Sequence, residues 1–281
     1  MTKTQPRIQF KKHLGQANHF LITSLVALHA LGENSVVEAP EELRTAWNPK
    51  DKSASISRSR NFVLQSFLGW AVDSVDMYLS LLNRKPNYLQ NSSLSSRLDG
   101  AGRSVLKKVR IYSEHYKVQP LTQALIDVLI TWRNNVFHEL ADNELSAESR
   151  KGLAAHATDI AAGYRGLDVT GLAEKSKEGA ALTFKETASL INAAHNFVQE
   201  VDAAVLAAFD AKAFCIEAVQ DALNDKKQEK GFAAKYLCLS TEKRVRFLHN
   251  WFMNSHGFSE LSKDAIESCL NLSRQPSVVS H

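Results

Sequence analysis

The six residues Arg133-Asn134-Asn135-Val136-Phe137-His138 hold the side chains of this chain best suited to chemistry. Histidine exchanges protons near neutral pH, which suits a general acid or base. A guanidinium presents a planar fork of donors to anionic charge. Four residues separate Arg133 from His138. On an ideal helix that offset places the two side chains ~140° apart around the axis and ~7.5 Å apart along it. One helix therefore aims both at a single atom only with difficulty. Two copies packed about a two-fold axis overcome this, because the seam collects an arginine and a histidine from each helix. The spacing predicts a homodimer.

The elements that must carry this segment are helical. Only 12 glycines and 6 prolines punctuate 281 residues, so long runs rich in Ala, Leu, Glu, Lys and Ser go uninterrupted. The fold class expected is all-α. Pro120 suits the first turn of a helix through Leu121, Leu125, Val128, Leu129, Trp132, Val136 and Leu140, spaced by three or four. A second helix, capped by Ser57, runs to Leu82 with apolar residues on nearly every face, Phe62, Phe67, Trp70 and Val75 among them, and so is expected at the centre. Further helices are expected over 14–31, 103–116, 146–164, 183–209, 211–227, 240–256 and 258–272. A loop with Pro40 and Pro49 follows the first of these, and a frayed tail runs from Arg274 to His281. Gly166 to Gly179, with three glycines, reads as a linker. The expected organisation is residues 1–56 as an N-terminal helix and loop, 57–165 as the bundle carrying the motif, 166–179 as linker, and 180–281 as a C-terminal helical region.

Composition narrows the setting. The net charge is +4, from 34 Lys and Arg against 30 Asp and Glu, too small by itself to imply a polyanionic partner. Its distribution says more. Lys3, Arg7, Lys11 and Lys12 crowd the start, and Arg97, Arg103, Lys107, Lys108 and Arg110 precede the motif helix, as phosphate-facing patches or as solvated helix faces. The three cysteines, Cys215, Cys238 and Cys269, form no CxxC pair and suggest neither a disulfide framework nor zinc. Met1 to Leu14 lacks a signal-type apolar core, and Phe20 to Leu31 is too short and too punctuated to span a bilayer. A cytoplasmic protein without membrane association is expected.

Arg-Asn-x-x-x-His within a hydrophobic helix of an all-α chain resembles the HEPN superfamily, with Arg133, Asn134 and His138 matching its arginine, following polar residue and histidine. The resemblance covers roughly residues 57–165. It implies a HEPN-like antiparallel helical bundle with additional C-terminal helices. It also implies metal-independent endoribonuclease activity, in which a ribose 2′-hydroxyl attacks the adjacent phosphodiester and leaves a cyclic phosphate. His138 would exchange the proton, Arg133 would hold the charge of the phosphorane, and Asn134 would orient the histidine or a phosphate oxygen. The partners implied are RNA, a second copy of the chain, and a neutralising or activating protein, since many members act as toxins or antiviral effectors. Arg103, Lys107, Lys108 and Arg110 are the expected RNA contacts. The competing reading is a non-catalytic helical module that binds RNA or protein.

Asp73 and Asp76 interrupt the most apolar helix, where an unpaired carboxylate is costly, so each is expected to have a partner. Arg133 is one candidate, which would make the carboxylates supports for the guanidinium. Arg60, Arg84 or a helix terminus are the alternatives. A second match to the arginine–histidine spacing, Arg244-Val245-Arg246-Phe247-Leu248-His249, lacks the polar residue after its arginine and reads first as a core helix with a charged start. His115 and His195 read as structural. No HExxH, Gly-x-Ser-x-Gly or Walker sequence occurs, and no cofactor or metal is expected.

Overall fold

The computed structural model describes residues 2–34, 42, 44, 47–138, 143–225, 229–258 and 260–273. Thirteen α-helices and no strand occur among them. They are α1 (Gln5–Glu33), α2 (Lys52–Leu82), α3 (Ser92–Gly100), α4 (Val105–Tyr116), α5 (Pro120–Phe137), α6 (Ala147–Ala155), α7 (Ala157–Gly163), α8 (Val169–Glu178), α9 (Phe184–Ala207), α10 (Ala211–Asn224), α11 (Ala234–Leu237), α12 (Thr241–His256) and α13 (Lys263–Leu270). A π-helical turn, Glu229–Ala233, leads into α11. The chain forms two units, one of residues 10–76 and 105–199 with the motif, the other of residues 1–9, 77–104 and 200–281. This division interleaves the sequence, so 180–199 belongs with the motif unit and not with a C-terminal region.

Several boundaries differ from those the sequence suggests, each for a local reason. α1 begins at Gln5, well before residue 14, since nothing in Arg7–Lys12 opposes a helix. α2 begins at Lys52, and Asp51, not Ser57, caps it by accepting the Ala54 amide at 2.9 Å. The serine-rich stretch forms α3 because Asn91 caps it at the Leu94 amide and Leu94 and Leu98 are buried. The expected linker holds α8, capped by Asp168, buried through Val169 and Leu172, and ended by Gly179 in the left-handed region at φ 63°. One helix expected over 146–164 divides at His156 into α6 and α7. Pro40, Leu140, the end of the helix expected to 227, and the Arg274–His281 tail lie outside the described residues.

In the motif unit α5 is the hub. Thr122 and every residue from Ala124 to Trp132 are buried, and α4, α6 and α8 pack against it. An apolar helix buried on all faces is what a central position requires. Trp132 is fully buried and its indole N–H donates to the Ala180 carbonyl at 2.9 Å; truncating it to alanine would cost about 3–5 kcal/mol. α2 runs antiparallel to α5, since Asp73 meets Arg133 while Gly69 meets Phe137. A Cβ at Gly69 would sit 2.9 Å from the Phe137 ring, so the glycine allows this close approach. α2 is not wholly central, however: Phe62 and Trp70 are 69% and 43% exposed.

The other unit is tied to the start of the chain by Asp202. This buried carboxylate accepts from the Thr4 amide at 3.3 Å, the Thr4 hydroxyl and the Tyr78 hydroxyl, and it pairs with Arg7 at 3.5 Å. A buried charge needs this degree of satisfaction, so Arg7 belongs to an internal network and not to a free basic patch. Tyr88, Phe209, Phe214, Phe252 and Phe258 make a continuous aromatic cluster. His256 packs edge-on against Phe214 and Trp251 there, and burial lowers its pKa to about 4.

Candidate active site

Arg133 lies on the last full turn of α5, where the helix leaves the core and its side chain is 22% exposed. One guanidinium nitrogen donates to Asp73 Oδ1 at 2.9 Å and another to Asn134 Oδ1 at 3.2 Å. The Nε–H has no partner among the described residues. The fork is thus held from two sides, with its Nε–H buried and the side chain as a whole 22% exposed. Asp73 is 63% exposed, so the pair adds little stability and serves chiefly to fix the fork. Asn134, expected to orient the histidine, turns its side-chain oxygen to Arg133 instead; its backbone carbonyl accepts the His138 amide at 3.1 Å.

His138 is not on the helix. α5 ends at Phe137, and His138 is its C-terminal cap with φ −122° and ψ 99°, an extended conformation. The ideal-helix angle between the two side chains therefore does not apply, because the backbone turns at the histidine. His138 and Phe137 are both exposed. What stops the helix is Asn135, a residue the sequence did not single out. Its amide nitrogen donates to the carbonyls of Asn143 and Ser176, both at 2.9 Å, and its oxygen accepts the Asn143 amide at 3.0 Å. The amide pins the chain beyond His138 onto the end of α8. Glu144 adds to the fastening, pairing with Lys177 at 3.0 Å and Arg150 at 3.6 Å, contacts that hold its carboxyl below the usual range. The only sequence signal for Asn135 is an amide in the last turn of a helix, a weak one.

Asp76 does not support Arg133. It accepts from Lys108 at 2.7 Å. Of the expected RNA contacts, Lys108 is engaged there and Arg110 faces Asp127 at 3.8 Å. Lys107 is exposed on α4, and Arg103 is exposed in the other unit. Asp127 is buried within α5, where burial raises its pKa against the Ser149 hydroxyl at 2.6 Å and the Arg110 charge, which lower it. Phe10 packs edge-on to the half-buried His195, which fits a structural histidine, whereas His115 is exposed and meets only the edge of its neighbour Tyr116 among the ring contacts.

The second arginine–histidine pair sits differently. Arg244, at the start of α12, donates to the carbonyls of Tyr236, Leu270 and Leu237 at 3.1, 3.2 and 3.0 Å and lies over the Tyr236 ring. It staples α11 and α13 to α12, while Leu248 and Phe252 bury the helix. The core-helix reading is the one its contacts support. Among the described residues no group of three or more His, Cys, Asp and Glu side chains could hold a metal, and no helix is long and apolar enough to cross a membrane. Compared with known proteins, the chain matches no family model, no curated protein and no solved structure.

Proposed function

We propose that this chain is a metal-independent endoribonuclease built on a HEPN-like antiparallel bundle. It would act in the cytoplasm, as a toxin or antiviral effector held in check or triggered by another protein. The observation that carries this reading is the partly exposed Arg133 fork, pinned by Asp73 and Asn134, five residues before an exposed histidine at a helix end. A ribose 2′-hydroxyl gives its proton to one His138 imidazole as its oxygen attacks the neighbouring phosphorus. Charge gathering on the phosphorane oxygens is met by Arg133. The 5′-oxygen leaves with a proton from a second imidazole, supplied by the other copy, and the product ends in a 2′,3′-cyclic phosphate. Two copies supply the base and the acid together, which one chain with one such histidine does not.

The test is incubation of the purified protein with single-stranded RNA in excess chelator, followed by mass analysis of the new ends. Cyclic phosphate termini that disappear in His138→Ala support the reading. Cleavage that stops when metal is removed refutes it. The second reading is a helical module that binds RNA or protein without cutting, although Lys108 and Arg110, each facing a carboxylate, would have to exchange those partners for phosphates. Salt-sensitive RNA binding with no product would establish that one.

A further inference from the structure

The unit without the motif carries the whole net charge of the chain. Sixteen Lys and Arg stand there against twelve Asp and Glu, whereas the motif unit balances eighteen against eighteen. Several cations of the motif unit are also engaged by carboxylates: Lys177 and Arg150 share Glu144, Lys108 meets Asp76, and Arg110 faces Asp127. A polyanion is held best by cations with no carboxylate of their own, because each phosphate contact then costs no ion pair. The other unit is the better supplied.

α12 presents such cations in a row. Lys243, Arg246, Asn250 and Met253 follow at intervals of three, four and three and so share one helix face. All four are exposed, while Leu248 and Phe252 bury the opposite face completely. No carboxylate among the described residues pairs with Lys243 or Arg246. Glu242 is the one acid in α12, and it sits in the first turn, where the helix dipole favours it. On the adjoining α13, Asp264 pairs with Lys212 at 3.0 Å and Glu267 with Lys263 at 3.6 Å. Lys235 adds an exposed cation on α11. Beside the basic row runs an aromatic one. Phe247 lies one turn on from Lys243, and Trp251 one turn further; both are half-buried and rest on Phe232, with ring centres 5.3 and 4.5 Å away. Each ring is braced from behind and keeps part of its surface in solvent.

We propose that this face of α12 holds single-stranded RNA, with Lys243 and Arg246 on its phosphates and Phe247 and Trp251 as the rings on which unpaired bases stack. Cations alone would suit any polyanion. The aromatic row beside them selects a nucleic acid over an acidic protein, since bases stack on rings and carboxylates do not. It also selects single strands, whose bases are free to turn toward a side chain. Asn250 stands between the two rows and can bond either a base edge or a phosphate. The RNA contacts then lie on α12 and not on α4. The face stands on its own observations, and what becomes of the bound RNA rests on the function proposed above.

The experiment measures binding of a fluorescent oligouridylate of about twelve nucleotides to the full chain carrying His138→Ala, in chelator, over a range of salt concentrations. Adding Lys243→Ala with Arg246→Ala is expected to flatten the slope of log affinity against log salt by about 1.4 and to weaken binding roughly 25-fold near 0.1 M salt. Arg84→Ala with Lys85→Ala removes the same charge from exposed positions off this face and should leave slope and affinity close to the parent. Phe247→Leu keeps the buried side filled and should weaken binding about tenfold at an unchanged slope. Helix content by circular dichroism is expected to match throughout. Absence of binding, a slope unmoved by the α12 pair, or an equal change in the control pair overturns the proposal. So does a polyglutamate of equal charge that binds as tightly as the oligouridylate and is indifferent to Phe247→Leu, which would make the face a seat for acidic protein. RNA that binds through α12 and is never cut by the wild type sinks the ribonuclease reading and leaves this face standing. Cutting at subsaturating RNA that the α12 pair leaves unchanged does the opposite.

Discussion

Two segments of this molecule share one spacing and differ in everything around it. Arg133 and His138 stand at the end of α5, whereas Arg244 stands in the first turn of α12 and His249 in its middle. Arg133 is gripped by side chains, one carboxylate and one amide, and stays 22% exposed. Arg244 is gripped by three backbone carbonyls and an aromatic ring, which makes it a clasp between helices. The arginine–histidine interval alone does not distinguish a reactive pair from a structural one. What differs between the two is the set of acceptors around the arginine. Carboxylate and amide partners hold the guanidinium at the surface, whereas carbonyl partners take it into a helix junction.

The contrast breaks first at the arginines. Arg133→Ala should lower RNA cleavage by about 10³-fold with an unfolding midpoint close to wild type, because it removes a charge needed only in the transition state. A cleavage assay beside a urea titration checks both halves. Arg244→Ala should do the reverse. Its loss strips three carbonyls of a charged donor, and stability should fall by about 3 kcal/mol while the rate per folded molecule stays within twofold or so.

The Arg244 unit should also respond to acid through His256. Burial holds this imidazole at about 4, against 6.5 for the free side chain. The unfolded chain binds the proton more readily, so stability is whole above pH 6.5 and is lost as the pH falls toward 4. The loss should reach up to roughly 3 kcal/mol, and His256→Phe should flatten it. Urea midpoints followed between neutral pH and pH 4 decide the matter. The smallest expected effect sharpens the other side: Asp73→Asn keeps the shape but weakens the grip on Arg133. It should lower kcat about tenfold at unchanged KM and leave stability within about 1 kcal/mol. A proportionate rise in KM would instead mark Asp73 as a binding group.

Helix class was legible because it depends on scarce Gly and Pro and on apolar spacing, and Pro120 marked the start of α5 correctly. The end of α5 was not, since Asn135 stops the helix through acceptors at Asn143 and Ser176, remote in sequence. Burial cost suggests partners for Asp73 and Asp76, and both have one, although their side chains are 63% and 33% exposed and so carry little of that cost. Which cation each would find depended on the placement of α4, and α4 brings Lys108 to Asp76 and leaves Asp73 to Arg133. A linker of charged residues and glycines also concealed α8, because Asp168 and Gly179 are cap signals as well as loop signals. The exposure of Phe62 and Trp70 had no local signature at all. Apolar residues on every face of α2 read as burial, and composition alone does not tell which of those faces another element covers.

The central claim is that the Arg133–His138 pair, and not its twin in spacing, performs the chemistry. The most direct measurement is the rate of RNA cleavage in excess chelator by His138→Ala and His249→Ala, side by side with wild type. A loss of about 10²–10⁴-fold is expected in the first, and a rate indistinguishable from wild type in the second. Equal rates in the two variants, or a loss confined to His249→Ala, would contradict it.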